Sequence, residues 1–396
     1  MKPAAPASRR FHPVACALAT VLATASGVMA QPTTKTNAGP VTRPTVLDTP
    51  PDYSAYTQSV KVPFTRSTRY ENLTSMNVRV SLNDSPPMLF QVDTGSVGIL
   101  LGASELRGFD PTGTPGNITY TSSGISFDGV YNDVKVTFVD AKGPDGKPVT
   151  AYVPVLAATS RRVLPGAVNA STRPAATQPN FNPKPRMMGI GFGRGRESHQ
   201  ERNPFVNLEA MNAGTMRRGY TITRQGYTLG LTKETVGDGY VFQQLAPKTP
   251  STQMAQMRPG LKDWDNAPGW VTVNGVDEPL GWALLDTGLT NMMIGRPDTP
   301  QQDIEPGTPI TVHLMDGKLQ YDFVVGDTTH PTTPRRVTRT NRPTPYVNTG
   351  LRALAVFDYL YDADGGYFGL RPTPMPTTKP TTVPAARPAT VRATRP

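Results

Sequence analysis

The tripeptide Asp-Thr-Gly occurs twice in the sequence, at residues 93–95 and at residues 286–288. A single copy carries little information, because roughly one chain in ten of this size contains the tripeptide by chance. Two copies, each directly after a short apolar stretch, indicate an internal duplication. The duplication supplies one carboxylate per copy, Asp93 and Asp286, and so predicts a site built on a pair of aspartates.

A pair of aspartates that face each other has a specific chemical use. Like charges a few ångströms apart cannot both ionise, so the pair holds one proton and one negative charge over a wide pH range. The ionised partner can take a proton from a bound water, while the protonated partner polarises a substrate carbonyl. This chemistry needs no metal and no cofactor.

The residues after each aspartate suit a tight loop that projects the carboxylate into a cleft. Gly95 and Gly288 are predicted to let the backbone turn sharply. Thr94 and Thr287 each carry a hydroxyl that can bond across from one loop to the other. The two loops are therefore predicted to meet.

Two predicted hairpins position these loops. Short apolar runs separated by Gly, Pro, Asn and Asp extend from about residue 65 to residue 372, without long helical periodicities, which predicts a predominantly β chain. The first hairpin spans residues 78–92, with turn-forming residues at its centre. The second spans residues 270–285 around an Asn-Gly turn. Each hairpin ends immediately before one of the aspartates.

Several motifs between about residues 77 and 370 resemble those of the pepsin-like aspartic protease family. They are FQVDTGSVGILL at the first aspartate, NITYTSSGISFDGVY from residue 117, MMGIG from residue 187, and GLRALAVFDYLYDADGGYFGL from residue 350. The resemblance implies an all-β fold with few short helices, in which two β-barrel lobes enclose a central cleft. It implies a secreted endopeptidase that acts on peptides or proteins, with Asp93 and Asp286 as its catalytic residues.

The same resemblance assigns roles to the neighbours of the aspartates. Ser96 is expected to place its hydroxyl on the outer oxygen of Asp93. Tyr120 matches the tyrosine of a flap hairpin that closes over substrate, although an ordinary strand aromatic is an open alternative. Support of the two catalytic loops is expected from Thr94, Gly95, Ser96, Thr287 and Gly288.

The chain departs from the family pattern at several positions. Leu289 stands where the family has Thr or Ser, so a hydrogen bond to Asp286 is expected to be missing. Leu100 stands where a tryptophan normally supports the flap tyrosine. Asn348 and Thr349 precede a glycine where two apolar residues are expected. These departures keep a second hypothesis open, in which the chain is a catalytically impaired, secreted peptide-binding module.

The first 30 residues have the pattern of a signal peptide, with a basic start, an apolar stretch and small residues before a cleavage site near Ala30. The mature chain is therefore expected to be secreted or periplasmic. Cys16, the one cysteine of the chain, leaves with this segment, so no disulfide is expected afterwards. No later segment is apolar for long enough to predict a transmembrane helix.

The rest of the chain divides by composition. Residues 31–66 are rich in Thr and Pro and are predicted to form an extended or disordered arm. Residues 372–396 form a basic tail of similar composition, either a solvated linker or a weak contact to an anionic surface. The N-terminal lobe is expected at residues 67–231 and the C-terminal lobe at residues 232–371. Because both aspartates lie in one chain, a monomer is expected.

Other function classes find little support in the sequence. The histidines form no HExxH pair, and the chain lacks a Gly-x-Ser-x-Gly elbow and a Walker lysine. The net charge of +10 comes from scattered Lys and Arg without an interleaved aromatic patch, which disfavours nucleic-acid binding. A glycosidase also uses paired carboxylates but gives no reason for a duplicated Asp-Thr-Gly.

Overall fold

The computed structural model of the chain describes residues 45–65, 75–164, 185–194, 199–248 and 260–374. Within these ranges the fold is mostly β, as the sequence predicts, and the helices are short. The α-helices are α1 (Glu209–Asn212) and α2 (Lys233–Val236), and 3-10 turns occur at Ala103–Glu105, Gln200–Arg202, Met315–Gly317 and Gly350–Ala355.

The strands are numbered in chain order. They are β1 (Val60–Val62), β2 (Asn77–Leu82), β3 (Met88–Asp93), β4 (Val97–Gly102), β5 (Thr114–Tyr120), β6 (Ile125–Lys142), β7 (Pro148–Val163), β8 (Arg186–Ile190), β9 (Gly219–Thr223), β10 (Gly226–Leu229), β11 (Val241–Gln244), β12 (Pro268–Val273), β13 (Val276–Asp277), β14 (Gly281–Leu284), β15 (Met292–Arg296), β16 (Gln302–Asp303), β17 (Pro309–Leu314), β18 (Leu319–Val324), β19 (Val337–Asn341), β20 (Tyr346–Asn348), β21 (Phe357–Asp362) and β22 (Tyr367–Pro372).

Both predicted hairpins are present. In the first, β2 pairs antiparallel with β3, and Val78 and Val80 are fully buried while Arg79 between them is exposed. In the second, β12 pairs antiparallel with β13 and β14. The turn after β12 has φ values of 50° at Asn274 and 78° at Gly275, the left-handed conformation that a tight hairpin turn requires and that these two residue types tolerate.

The strand order reveals the internal duplication directly. The first sheet contains the order β2-β3-β8-β4-β7, and the second contains the order β12-β14-β20-β15-β19. In each sheet the third strand of this series runs parallel to the second and antiparallel to the fourth. The fourth and fifth strands are parallel in both sheets. The two Asp-Thr-Gly loops therefore occupy the same place in two copies of one sheet arrangement.

A third sheet joins strands from both ends of the described chain in the order β1-β10-β9-β21-β22-β11. It packs against the first sheet, where the buried Tyr220 hydroxyl donates to the carbonyl of Ile190 at 2.8 Å. The Phe192 ring stacks on Tyr361 with 4.2 Å between ring centroids. One cluster of buried apolar side chains includes members of all three sheets. The predicted lobe boundary at residues 231/232 falls between β10 and β11, both of which belong to this third sheet.

The prediction of an extended or disordered arm is wrong for residues 45–65. β1 pairs antiparallel with β10, and Val46 bridges to Gln243 in β11. Tyr53, Val60 and Val62 are buried at 4%, 3% and 2% exposure. Val60 and Val62 alternate with an exposed residue in β1, so the segment folds onto the core despite its Thr and Pro content.

Some predictions lie outside the described residues. The signal peptide at residues 1–30 and the tail from residue 375 are among them. No helix among the described residues is both long enough and apolar enough to cross a membrane.

Candidate active site

The two Asp-Thr-Gly loops are held by the strands that flank them. β8 lies between β3 and β4 and passes directly behind the first loop. Gly189 in this strand allows the close passage, because a Cβ there would lie 2.5 Å from the backbone nitrogen of Val97. β20 lies in the same way between β14 and β15 behind the second loop. The motifs at residues 187–191 and around residue 350 thus serve to position the loops.

The threonines of the loops bond to each other. The Thr94 amide donates to Thr287 Oγ1 at 2.9 Å, and the Thr287 amide donates to Thr94 Oγ1 at 3.0 Å. Each hydroxyl in turn donates to a carbonyl of the opposite half, Thr94 to Leu285 at 2.5 Å and Thr287 to Val92 at 2.8 Å. Both threonines are almost completely buried. This exchange of four hydrogen bonds fixes the distance between the loops.

The loop glycines make room for the carboxylates. A Cβ on Gly95 would lie 2.6 Å from all three carboxylate atoms of Asp286, and a Cβ on Gly288 would overlap the carboxylate of Asp93. Neither glycine has a positive φ. Both glycines lie in the turns that follow the aspartates, as the sequence interpretation expects. Their lack of a Cβ also allows each carboxylate to lie against the opposite loop.

The two carboxylates meet in a buried position, with Asp93 3% exposed and Asp286 7% exposed. Burial is the largest cause that raises the pKa of Asp93 above its ordinary value, followed by the charge of Asp286. A hydrogen bond from Ser96 opposes the rise, while a direct hydrogen bond with Asp286 adds to it. The pair therefore retains a proton well above the pH at which an isolated aspartate loses it.

Each carboxylate accepts hydrogen bonds on both oxygens. Asp93 accepts from the Gly95 amide on Oδ1 at 2.7 Å and from the Ser96 hydroxyl on Oδ2 at 2.6 Å. Asp286 accepts from the Gly288 amide on Oδ1 at 2.9 Å. On Oδ2 it accepts from the Asn348 amide Nδ2 at 2.6 Å.

The expected loss of a hydrogen bond to Asp286 is therefore wrong. Leu289 supplies no donor, but Asn348 at the end of β20 supplies one to the same carboxylate. Sequence reasoning noted both positions as separate departures and missed that one offsets the other. The signal was the polar pair Asn348-Thr349, which stands directly before Gly350 where two apolar residues are expected.

An open cleft with a cavity of about 790 Å³ lies over the pair. The β5–β6 hairpin contributes Tyr120 and the turn residues after it to the wall of this cleft. Tyr120 packs on Phe127 with 6.3 Å between ring centroids. Leu100 belongs to a small cluster of buried apolar side chains, against which Tyr120 and Phe127 of this hairpin pack. None of the described residues 45–65 lines the cleft.

The remaining charged groups of the cleft are basic. Arg186 is paired with Glu105 at 2.5 Å, and Arg194 donates to the Phe192 carbonyl at 2.7 Å. Arg342, Trp282 and Tyr346 also line the cleft, and sequence reasoning assigned none of them to a site. Among the described lining residues, the carboxylates are Asp93 and Asp286.

No protein-family model matches the chain, and a search of curated proteins found no match.

Proposed function

We propose that the chain is a pepsin-like aspartic endopeptidase that hydrolyses peptide bonds with a water activated between Asp93 and Asp286. The observation that carries the proposal is the meeting of two buried carboxylates, one from each copy of a duplicated sheet, at the base of an open cleft. The repeated strand order and the exchange of hydrogen bonds between Thr94 and Thr287 support a two-lobed arrangement of the pepsin kind.

The reaction needs one proton on the pair. The ionised carboxylate takes a proton from the water, whose oxygen attacks the peptide carbonyl carbon, while the protonated carboxyl gives its proton to the carbonyl oxygen. The C–N bond then breaks as the amide nitrogen accepts a proton from the pair and the hydroxyl returns one to it, which regenerates the starting state. The raised pKa of Asp93 lets the pair keep a proton at a higher pH than an ordinary aspartate would. Activity is therefore expected to extend beyond strongly acidic conditions and to fall once the pair loses its last proton.

The lining of the cleft supports a peptide substrate with apolar side chains near the scissile bond. Apolar side chains surround the pair on both sides of the cleft and can accept such side chains. They include Phe127, Met187, Trp282, Leu289 and Met293. We further propose that the chain acts outside the cytoplasm as a monomer, on the basis of the signal-peptide pattern at residues 1–30 and the presence of both aspartates in one chain.

Cleavage of unfolded casein from acid to neutral pH, with and without pepstatin, tests the proposal. Wild-type protein is expected to cut casein and to be inhibited, whereas Asp93→Asn is expected to be inactive. Asp133→Asn, at an exposed position in β6, is the matched control and is expected to cut like the wild type. Absence of wild-type cleavage, together with peptide binding that survives Asp93→Asn in calorimetry, would instead support the peptide-binding module.

A further inference from the structure

The two halves of the site use different residues to hold their aspartates. Met187 in β8 and Asn348 in β20 are equivalent, because they pair with the residues two positions before Asp93 and Asp286 respectively. The residues three positions after each aspartate are also equivalent, and they are Ser96 and Leu289. The polar donor and the apolar side chain have thus exchanged places between the halves, and all four side chains line the cleft.

The orientation of the Asn348 amide follows from its other contact. Its Oδ1 accepts from the Gly350 amide at 2.9 Å, and only an oxygen can accept that bond. The Nδ2 group must therefore face Asp286 Oδ2, at 2.6 Å. Asn348 is 2% exposed and has little freedom to turn away.

An amide nitrogen and a hydroxyl impose different conditions on the carboxylate that they contact. The Nδ2 of asparagine donates and cannot accept, so it gives no partner to a carboxyl proton and stabilises the ionised carboxylate most strongly. A serine hydroxyl can rotate and either donate or accept. A proton on Asp93 Oδ2 can therefore be donated to the Ser96 hydroxyl after that hydroxyl rotates, whereas protonation of Asp286 replaces a charged acceptor by a neutral one and weakens its bond from Asn348.

We propose that Asn348 is a positioning residue that keeps Asp286 as the ionised member of the pair and assigns the shared proton to Asp93. The inference rests on the proposed function for its catalytic meaning, because it makes Asp286 the carboxylate that takes the proton from water and Asp93 the carboxyl that protonates the substrate carbonyl. The charge state itself is a property of the resting protein and can be measured without substrate.

The other titratable and charged groups that face the pair do not obscure this assignment. In the described lining of the cleft they are Tyr120, Arg186, Arg194, Arg342 and Tyr346. Burial, followed by the charge of Asp286, raises the pKa of Tyr346 to about 12, and a hydrogen bond with Asn348 opposes that rise. A guanidinium group does not lose its proton in proteins at acid or neutral pH. A titration between about pH 2 and pH 9 in this cleft therefore reports the aspartates.

Three variants test the role of Asn348 through the pH profile of kcat/KM. Asn348→Leu keeps the approximate shape of the side chain and removes both the donor to Asp286 and the acceptor of the Gly350 amide. The loss of the donor is expected to move the acid limb upward by about one pH unit. We expect kcat to fall about tenfold with KM within about twofold, because the bond acts on the carboxylate and not on substrate binding. Leu289→Ser/Asn348→Leu returns a donor from the position that Ser96 occupies in the other half, and is expected to restore the profile. Leu289→Ser alone is expected to change the pH profile of kcat/KM less than the same substitution does in the Asn348→Leu background.

A purely structural role for Asn348 predicts a different result. In that case Asn348→Leu would melt at a lower temperature with an unchanged pH profile, and the serine at position 289 would restore nothing. An unchanged pH profile in Asn348→Leu would overturn the proposal. A shifted profile that the serine at position 289 does not restore would also overturn it.

Carbon-13 NMR of the aspartate carboxyl carbons in the wild type separates failure of this inference from failure of the proposed function. Assignments come from Asp93→Asn and Asp286→Asn. The proposal expects the last proton of the pair to leave from Asp93, even if the protein cleaves no peptide and even if Asn348→Leu does not fold. If the last proton leaves from Asp286, the inference is wrong whether or not casein is cut.

Discussion

Thr94 and Thr287 exchange amide-to-hydroxyl hydrogen bonds at 2.9 and 3.0 Å across the junction of the two duplicated sheets. Each hydroxyl also donates to a carbonyl of the opposite half. All of these groups are buried, so removal of one hydroxyl leaves an amide and a carbonyl without partners and away from water. The junction therefore depends on these two hydroxyls for both stability and the spacing of the aspartates.

Thr287→Val is expected to lower the free energy of unfolding by about 2–4 kcal/mol, because two hydrogen bonds are lost from buried partners. Casein cleavage is expected to fall about a hundredfold, since small shifts in carboxylate geometry are costly to catalysis. Urea unfolding and casein assays measure the two effects. Thr287→Ser, which keeps the hydroxyl, is expected to retain most of both properties.

Thr340→Val is the matched control for this substitution. Thr340 is 5% exposed, and its hydroxyl has no hydrogen-bond partner in the described part of the chain. The change to valine there is expected to be neutral or stabilising, because a buried hydroxyl without a partner is unfavourable. Equal losses in Thr287→Val and Thr340→Val would show that the exchange between the loops contributes nothing specific.

The raised pKa of Asp93 predicts how stability depends on pH. Because burial and the charge of Asp286 raise the pKa in the folded state, the folded protein loses stability as the pH rises above the ordinary aspartate value of 3.8. Asp93→Asn removes this cost. It is expected to unfold at the wild-type temperature near pH 3 and to be more stable by about 1–3 kcal/mol at pH 7.

Calorimetric melting at both pH values, with Asp133→Asn as the exposed control, measures this difference. A variant that is equally stabilised at pH 3 and pH 7 would contradict the assignment to ionisation. A variant that is destabilised at pH 7 would show that the carboxylate of Asp93 is favourable in the folded protein.

The hairpins and loops could be predicted from the sequence because their determinants are local. Alternating apolar residues, Asn-Gly or Asn-Asp turns and the copied tripeptide all lie within short stretches of chain. The pairing of the two aspartates followed from the duplication alone. The donor to Asp286 could not be predicted in this way, because Asn348 lies 62 residues further along the chain. Its role depends on the register between β14 and β20.

The third sheet also escaped prediction for a physical reason. It pairs β1 near the N-terminal end of the described chain with β10, and β9 with β21 near the other end. The residue pattern within one strand does not indicate which distant strand it pairs with. Residues 45–65 are rich in Pro and Thr, and this composition indicated an arm. The apolar side chains that decide the position of the segment are too few to change its overall composition.

The N-terminal segment is expected to contribute directly to stability. Tyr53 is 4% exposed and packs with Phe242 at 6.1 Å between ring centroids. Tyr53→Ala is expected to lower the free energy of unfolding by about 3–5 kcal/mol, because it opens a cavity at the edge of the third sheet. Tyr152→Ala, at a tyrosine that is 50% exposed, is the control and is expected to cost less than about 1 kcal/mol. Equal effects of the two changes would mean that residues 45–65 do not stabilise the fold.

A buried ion pair lies at the end of β21. Asp362 is completely buried, and Arg217 donates to both of its oxygens, at 3.2 and 2.8 Å. Burial raises the pKa of Asp362, and the Arg217 bonds oppose that rise. Arg217→Met removes the opposing effect, so the pKa of Asp362 is expected to rise further and the folded state to lose stability as pH increases above 3.8.

The expected loss for Arg217→Met is about 3–5 kcal/mol at pH 7, because the variant leaves a buried charge without its partner. The loss is expected to shrink near pH 3, where Asp362 is protonated. Arg217→Met/Asp362→Asn should recover most of the stability at pH 7, since asparagine carries no charge and still accepts the Gly365 amide, which is 3.0 Å from Asp362. Urea unfolding at both pH values measures these differences. If the double variant is no more stable than Arg217→Met at pH 7, the cost lies in the packing of the arginine side chain and not in the charge of Asp362.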